Sequence, residues 1–409
     1  MHEHQIRQLA TAVRVTPGTV TALAGWALDP DIAFLNHGSY GASPLEVLAE
    51  QRRLQDRMEA NPVQFLFLEL PELMTAARMR SADFVGADPD GVAFVTNATM
   101  GTNTLLRSFP LQSGDEVLLT DHGYEACNLA AEHIAARRGA SVVFARIPVP
   151  VSDPAEIRTA ILDAVTPNTR VAVIDHITSP TALVLPMAEI VSDLAQQGVQ
   201  TIVDGAHAPG QVDLDVERIG ALGYTANWHK WTCAPKGAGF LWAAADWRED
   251  VRPLVISHGA GHRGEDGERF RATFDWTGTA DPTAYLTVPT AIDVVGGMLD
   301  GGWPAVREHN RRLALQMKEH LVEALDLVAV GSPDLTGSMA SFVIPQRWRP
   351  PGRPGEAAAS FIRRLNDEHG VVVGAAARRG TDEIYFRVSA HLHTPEDAVE
   401  RLVAALQSF

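Results

Sequence analysis

The chain has 409 residues, 46% of them hydrophobic and 21% charged; this excludes disorder as its general state and exceeds the size one core usually fills, so two domains are expected. Its 34 Lys and Arg stand against 50 Asp and Glu, a formal charge of −16, which argues against nucleic acid or an anionic membrane surface as a partner. Two cysteines, Cys127 and Cys233, are too few for a disulfide framework. The first 15 residues lack the pattern of a signal peptide, no apolar run reaches about 20 residues, and a cytoplasmic location is expected.

Residues 1–30 read as an amphipathic helical lead-in that ends in a DPD turn. A short strand, IAFLN at 32–36, runs into the loop HGSYGASP. Helical spacing covers 45–85, interrupted at Pro62 and Pro71. A strand at 91–95 then breaks into a small polar loop that starts the next helix. Strand and helix signals alternate from there: strands at 116–121, 141–149, 169–177 and 199–207, with helices at 126–138, 154–165 and 187–197. Late strands surround a turn in YTANWHKW and GAGFLW. A long helix near 280–300 joins the domains, with the boundary near 285. The remainder reads as a helix at 316–327, strands at 339–345, VVVG and 383–389, and a helix at 357–368. A terminal helix begins at Pro395. Buried strands linked by helices imply an α/β fold with a mostly parallel sheet, whose ligands sit at the carboxyl ends of the strands.

Those strand ends are polar. An Asp at the end of a buried strand (Asp204), a His three residues on (His207) and a Lys after a second strand (Lys230) suit pyridoxal phosphate. The amine can bind the aldehyde, and a carboxylate can keep the pyridine nitrogen protonated. Spacing alone leaves other readings open, since a buried His often satisfies a carbonyl and a strand-end Asp often caps a helix. No metal is expected.

Longer motifs carry a resemblance. FLNHGSYGASP at 34–44, TNATMGTN at 96–103, VDGAHAPGQ at 203–211, NWHKWTCAPKGAGFLW at 227–242, WTGTADPTAYL at 276–286 and FRVSAHLHTPED at 386–397 resemble the class V aminotransferase superfamily of fold-type I pyridoxal-phosphate enzymes. Within it the sequence is most similar to the isopenicillin N epimerase-like branch, and the resemblance spans nearly the whole chain. It implies a large domain over 31–285 with a mostly parallel seven-stranded sheet, then a connecting helix and small α+β domain over 286–409.

It implies Lys230 as the Schiff-base lysine, Asp204 as partner of the pyridine nitrogen and His207 on the phenolic oxygen. Ala98, Thr99 and Met100 fall in the phosphate loop, where a helix N-terminus offers donors, with Asn227 and His229 as further contacts. Thr279 resembles a residue that reaches the phosphate from the neighbouring subunit of a homodimer. Tyr124, with His122 as the other candidate, covers the ring. Thr178 and Ser179, at another strand end, are candidates for the ring oxygen or the substrate, with ordinary turn chemistry at Ser179-Pro180 as the alternative. Arg387 resembles the arginine that binds the α-carboxylate of an amino-acid-like substrate, for which its planar fork is suited. Asn36, His37 and Tyr40 line the substrate entrance, and His258 and Arg269 are weaker candidates.

Such a site generates a carbanion at the α-carbon. Reprotonation from the opposite face, by Tyr124, His37 or Tyr40, gives an epimerase or racemase, the preferred reading. Loss of a β or sulfur-linked group gives a carbon–sulfur or sulfoxide lyase, and protonation at the cofactor gives an aminotransferase. A pyridoxal-phosphate-binding protein without turnover is the reading from another class. A persulfide-forming desulfurase is disfavoured, because residues 347–359 contain no Cys.

Overall fold

The computed structural model describes residues 25–264 and 266–409, so the expected helical lead-in lies for its greater part outside the described residues. The sheet strands are β1 (Ala33–Phe34), β2 (Val92–Val95), β3 (Glu116–Thr120), β4 (Ser141–Ala145), β5 (Thr169–Asp175), β6 (Gln200–Asp204), β7 (Gly223–Asn227), β8 (Gly239–Ala243), β9 (Met339–Val343), β10 (Val371–Val372), β11 (Gly374–Ala377) and β12 (Ile384–Ser389). Seven of them form one sheet in the order β2-β8-β7-β6-β5-β3-β4. All its pairs from β7 to β4 are parallel, and β8 runs antiparallel to both its neighbours. Successive residues of each strand enter opposite cores: Phe94, Ile174 and Val203 on one face, Val95, Val173 and Ile202 on the other. Both faces are therefore covered, and the strands read as continuous apolar runs. The mostly parallel sheet and fold type expected from the sequence are what the chain forms.

A second, three-stranded antiparallel sheet, β11-β12-β9, packs with the helices Gly302–Leu325, Pro354–His369 and Ala398–Gln407 around a core of its own. The N-terminal strand joins that body. β1 pairs in parallel with β10, and Ala33 and Leu35 are buried in the C-terminal core.

Three local readings change. HGSY is a short helix, His37–Tyr40, rather than loop. Between the helices Leu45–Ala60 and Leu70–Val85 lies a widened turn, Gln64–Glu69, and Pro71 opens the second helix, where its missing N–H costs nothing. The long helix is Gly302–Leu325 and not 280–300, which is split into Thr283–Leu286 and Val288–Gly296. Gly301 and Gly302, both at positive φ, separate it from the helix before.

One close approach fixes the helix that points its N-terminus at the strand ends. Gly101, in the helix Ala98–Ser108, lies so near β7 that an added Cβ would overlap the Thr225 side chain. Gly101→Ala is expected to destabilise the protein by about 1–3 kcal/mol through overpacking. An unchanged urea midpoint would mean that this helix can lift off the sheet.

Candidate active site

Four parallel strands end in buried polar residues: Asp121 after β3, Asp175 on β5, Asp204 on β6 and Asn227 on β7. Lys230 follows in the tight turn after β7, and its backbone is held from three sides. Its carbonyl accepts from Cys233 N at 3.0 Å and from His37 Nε2 at 3.0 Å. Gly41, at φ 71°, packs so closely that an added Cβ would lie 2.1 Å from the His229 carbonyl oxygen. At the other end of the side chain, Lys230 Nζ lies 3.2 Å from His207 Nε2. The Trp231 indole, a donor only, reaches His207 Nδ1 at 3.3 Å, so His207 carries its proton on Nε2 and offers it to the amine. Burial, then the Arg387 guanidinium, lowers the Lys230 amine to about 8, against the pull of Asp204 and Asp175. Near neutral pH an appreciable share of this lysine is free base.

Asp204 sits opposite. Its Oδ1 accepts from Ala206 N at 3.0 Å and its Oδ2 from the Cys127 thiol at 3.0 Å. Asp175 is its register partner on β5 and accepts from Tyr124 N at 3.2 Å. Burial raises both carboxyls, and the charge of Asp204 raises Asp175 further. The sequence reading gave neither Asp175 nor Cys127 a role. The signal for Asp175 was present, since TRVAVID ends in an acid just as QTIVD does.

The helix Ala98–Ser108 begins beside these strand ends. Asn97 caps it by accepting from Met100 N, and Asn227 Oδ1 accepts from Ala98 N at 2.9 Å. Asn227 thus fixes the helix start with the oxygen it would otherwise turn outward, while Thr99 follows half-buried in the first turn. His229 donates from Nδ1 to the Ala238 carbonyl at 2.9 Å, and burial lowers it to about 4, so it is neutral at pH 7. Thr279 is exposed in a loop and is not among the residues that border the cleft beside Lys230.

That cleft holds about 250 Å³ and is bordered by Ser39, Tyr40, Tyr124, Ser179, Lys230 and Arg387. Arg387, on β12, is 5% exposed and sits against Gly38 and Gly374, where side chains would crowd it. It donates to the Ser179 carbonyl and, at 3.4 Å, to Ser39 Oγ. Among the described residues no carboxylate pairs with it, and burial lowers it to about 10. Tyr124 faces the cleft, whereas His122 is buried and bonds Thr181 Oγ1 at 2.8 Å. Thr178 is likewise internal, bonded to Thr181 and to Leu183 N. Of the three entrance residues read from the sequence, Tyr40 borders the cleft. Asn36 instead holds its own turn through Ser39 and the Val373 carbonyl. His258 and Arg269 border a separate region; Arg269 pairs with Glu249.

His37 is the third, and it lies behind the lysine, fully buried among His391, His393, Trp26 and Trp231. Because His37 Nε2 donates to the Lys230 carbonyl, its Nδ1 accepts, and His393 Nε2–H is the donor at 2.8 Å. The ligand atoms of these three histidines lie within 4.8 Å of one another, as a metal site requires. Their planes do not suit one: His37 and His391 stack with centroids 4.2 Å apart at 18°, so their in-plane lone pairs run parallel instead of converging. The cluster is a neutral hydrogen-bonded stack. Burial lowers all three, His393 to about 4. An unfolded histidine takes its proton near 6.5, so folding stability is expected to fall as pH drops from about 6.5 toward 4. Each group adds a slope of up to about 1.4 kcal/mol per pH unit in that window and none above it. Urea midpoints measured from pH 7.5 down to 5 test this; a flat series would contradict it.

The donor set fits pyridoxal phosphate. It offers a buried amine partly in its free-base form, an acid at a strand end for a ring nitrogen, an aromatic side chain on the cleft and a helix N-terminus for a phosphate. Comparison with known proteins agrees. Residues 39–349 match the family described as aminotransferase class-V. The isopenicillin N epimerase of Amycolatopsis lactamdurans is 36% identical over 93% of this chain and 96% of its own. A putative L-cysteine desulfhydrase of Oryza sativa subsp. japonica is 34% identical over 77% of this chain and 67% of its own. Among solved structures, the cystine C–S lyase C-DES in complex with its product cysteine persulfide aligns with a TM-score of 0.78 at 21% identity, over 93% of this chain and 98% of that one. The chain belongs to the class V aminotransferase family, whose cofactor is pyridoxal 5'-phosphate.

Proposed function

We propose that this pyridoxal-phosphate-dependent enzyme inverts the α-carbon of an amino acid or amino-acid conjugate, as an epimerase of the isopenicillin N epimerase type. The observation that carries the reading is Arg387: a buried guanidinium that borders the same cleft as Lys230 and has no carboxylate partner among the described residues. A bidentate contact to a substrate α-carboxylate would satisfy it. Bound, the pyridoxal ring is the electron sink that acidifies the α-hydrogen of an amino acid joined to it.

In this reading Lys230 anchors the cofactor and then, as a free amine, takes the α-proton at Nζ. His207 carries one proton, on Nε2, which orients that amine here and in the loaded site would instead be donated to the ring's phenolic oxygen. Asp204 holds the proton of the ring nitrogen. The first turn of the helix, Ala98–Met100, receives the phosphate, chiefly through Thr99, whose neighbours' amides are already held by Asn227 and Asn97, and through the Asn227 amide NH2. His229 would join them on taking a proton at Nε2, and Tyr124 covers the ring beside Ser179. A proton returned from the face opposite Lys230 completes inversion, and Tyr40 and Tyr124 are the phenols on the cleft; burial raises Tyr124, which keeps its proton at neutral pH. The chain is proposed to act as a homodimer, with the exposed Thr279 serving the partner subunit's site. A cytoplasmic location is part of the proposal. No described helix is long and apolar enough to cross a membrane.

A second reading, β-elimination at a carbon–sulfur bond, is favoured by the relatives named L-cysteine desulfhydrase. It uses the same proton transfer to Lys230. A persulfide carried on the enzyme's own cysteine is not supported, because Cys127 and Cys233 are both buried and neither borders the cleft.

Proton NMR of the cofactor-loaded enzyme in heavy water, with an amino-acid panel that includes cysteine conjugates and sulfoxides, separates the readings. Loss of the α-proton signal with inverted configuration and an intact side chain is expected; release of a keto acid would replace epimerisation by elimination. Lys230→Ala is expected to abolish both exchange and the visible band of protein-joined cofactor. A band that survives dialysis would refute the lysine's role. Arg387→Lys is expected to raise KM at least tenfold, the cost of about one charge-assisted hydrogen bond, while cofactor affinity holds. Equal loss of both would assign Arg387 to the fold.

A further inference from the structure

Cys127 lies in the first turn of the helix Glu125–Arg138 and is 2% exposed. Its Sγ is 3.0 Å from Asp204 Oδ2 and 3.6 Å from Thr102 Oγ1. Among the described residues it is the side chain that hydrogen-bonds Asp204; the other carboxylate oxygen is met by the Ala206 amide. Burial, reinforced by the charges of Asp204 and Asp175, pushes this thiol well above its ordinary range, so it stays protonated and donates.

The contact matters because Asp204 has a rival. Asp175 is its register partner on the adjacent strand, and two carboxyls so close and so buried do not readily ionise together. Asp175 has donors too, the Tyr124 and Ser179 amides, and it also feels Lys230. Yet the charge of Asp204 raises it and not the reverse, so Asp204 is the one that keeps the charge. Asp204 itself has the thiol, the Ala206 amide and the nearby Lys230 amine. A thiol is a weak donor. It holds the carboxylate in place and still leaves it a strong acceptor.

We propose that Cys127 is a positioning residue: its S–H···Oδ2 contact orients the Asp204 carboxylate and keeps the proton shared with the cofactor's ring nitrogen on that nitrogen. The inference rests on the reading of Asp204 as the ring-nitrogen partner. Its balance is simple, because one proton lies between Asp204 and the nitrogen. Without the thiol, Asp204 becomes more basic and draws that proton toward itself. A hydroxyl in the thiol's place holds the proton on the ring.

The test uses holoenzyme loaded with pyridoxal phosphate labelled with nitrogen-15 in the ring, with the ring-nitrogen shift as a readout independent of turnover. Cys127→Ala is expected to move the shift part of the way toward unprotonated pyridine, in the direction taken by Asp204→Asn. Cys127→Ser, nearly isosteric, is expected to restore the wild-type shift. In parallel, kcat for α-proton exchange falls about tenfold in Cys127→Ala with KM unchanged, the equivalent of one hydrogen bond to a charged group, and returns in Cys127→Ser. If Asp204→Asn moves the shift and Cys127→Ala does not, Cys127 only packs and the proposal is overturned. If Asp204→Asn itself leaves the shift unchanged, the reading of Asp204 has failed, which is a separate result.

Discussion

The site depends on keeping a lysine amine buried without letting it become a permanent cation. Desolvation alone would drive the proton off, and the carboxyl pair at the neighbouring strand ends, with its charge on Asp204, pulls it back. The result, near 8, is a compromise set by backbone geometry. Asp175 and Asp204 are where they are because β5 and β6 run parallel and end in register. Arg387 tips the balance toward the free amine from the other side of the cleft. Asp175, Asp204 and Arg387 could not be shifted by one residue along their strands without turning their side chains to the opposite face.

Much of this was legible in the sequence, and for a physical reason. A buried parallel strand shows as an unbroken apolar run, and a polar residue at its carboxyl end stands out because it has no place in either core. Asp204 was found that way, whereas Asn227, at the end of the next strand, came only from the resemblance. Lys230 and Arg387 were identified through longer motifs, since a lysine between two tryptophans or an arginine in a short strand has no unique reading from periodicity. The reversed strand β8 followed its turn closely enough to be seen as a late strand.

What was not legible is pairing across distance. Asp175 carries the same strand-end signal as Asp204, but its significance comes from lying next to it, which only the strand order supplies. Cys127 looked like an ordinary helix residue, and a single thiol offers no pattern until its acceptor is known. His37 was read as an entrance residue from the resemblance, together with Tyr40. The two sit at opposite ends of a single helical turn, and what separates them is packing: Tyr40 is 75% exposed while His37 is buried against residues more than 350 positions away. The 280–300 segment was read as one long helix, whereas it breaks at Thr287 and again after Gly296, and the long helix begins only past Gly301, which is at positive φ.

The pairing of β1 with β10 has a mechanical consequence. Leu35 is anchored in the C-terminal core, bonded to Val372 and Ser389, while six residues later Gly41 is wedged against the backbone of His229 and Lys230 in the other body. The stretch between is a tie-rod whose full extension is only about 20 Å, and it is shortened by the helix His37–Tyr40. Any swing that widens the cleft must uncoil that single turn or tug on the lysine's own peptide. Opening the cleft at its root is therefore expected to cost that turn or the His37 contact to the Lys230 carbonyl, and bulk is expected to be accommodated at the cleft rim instead.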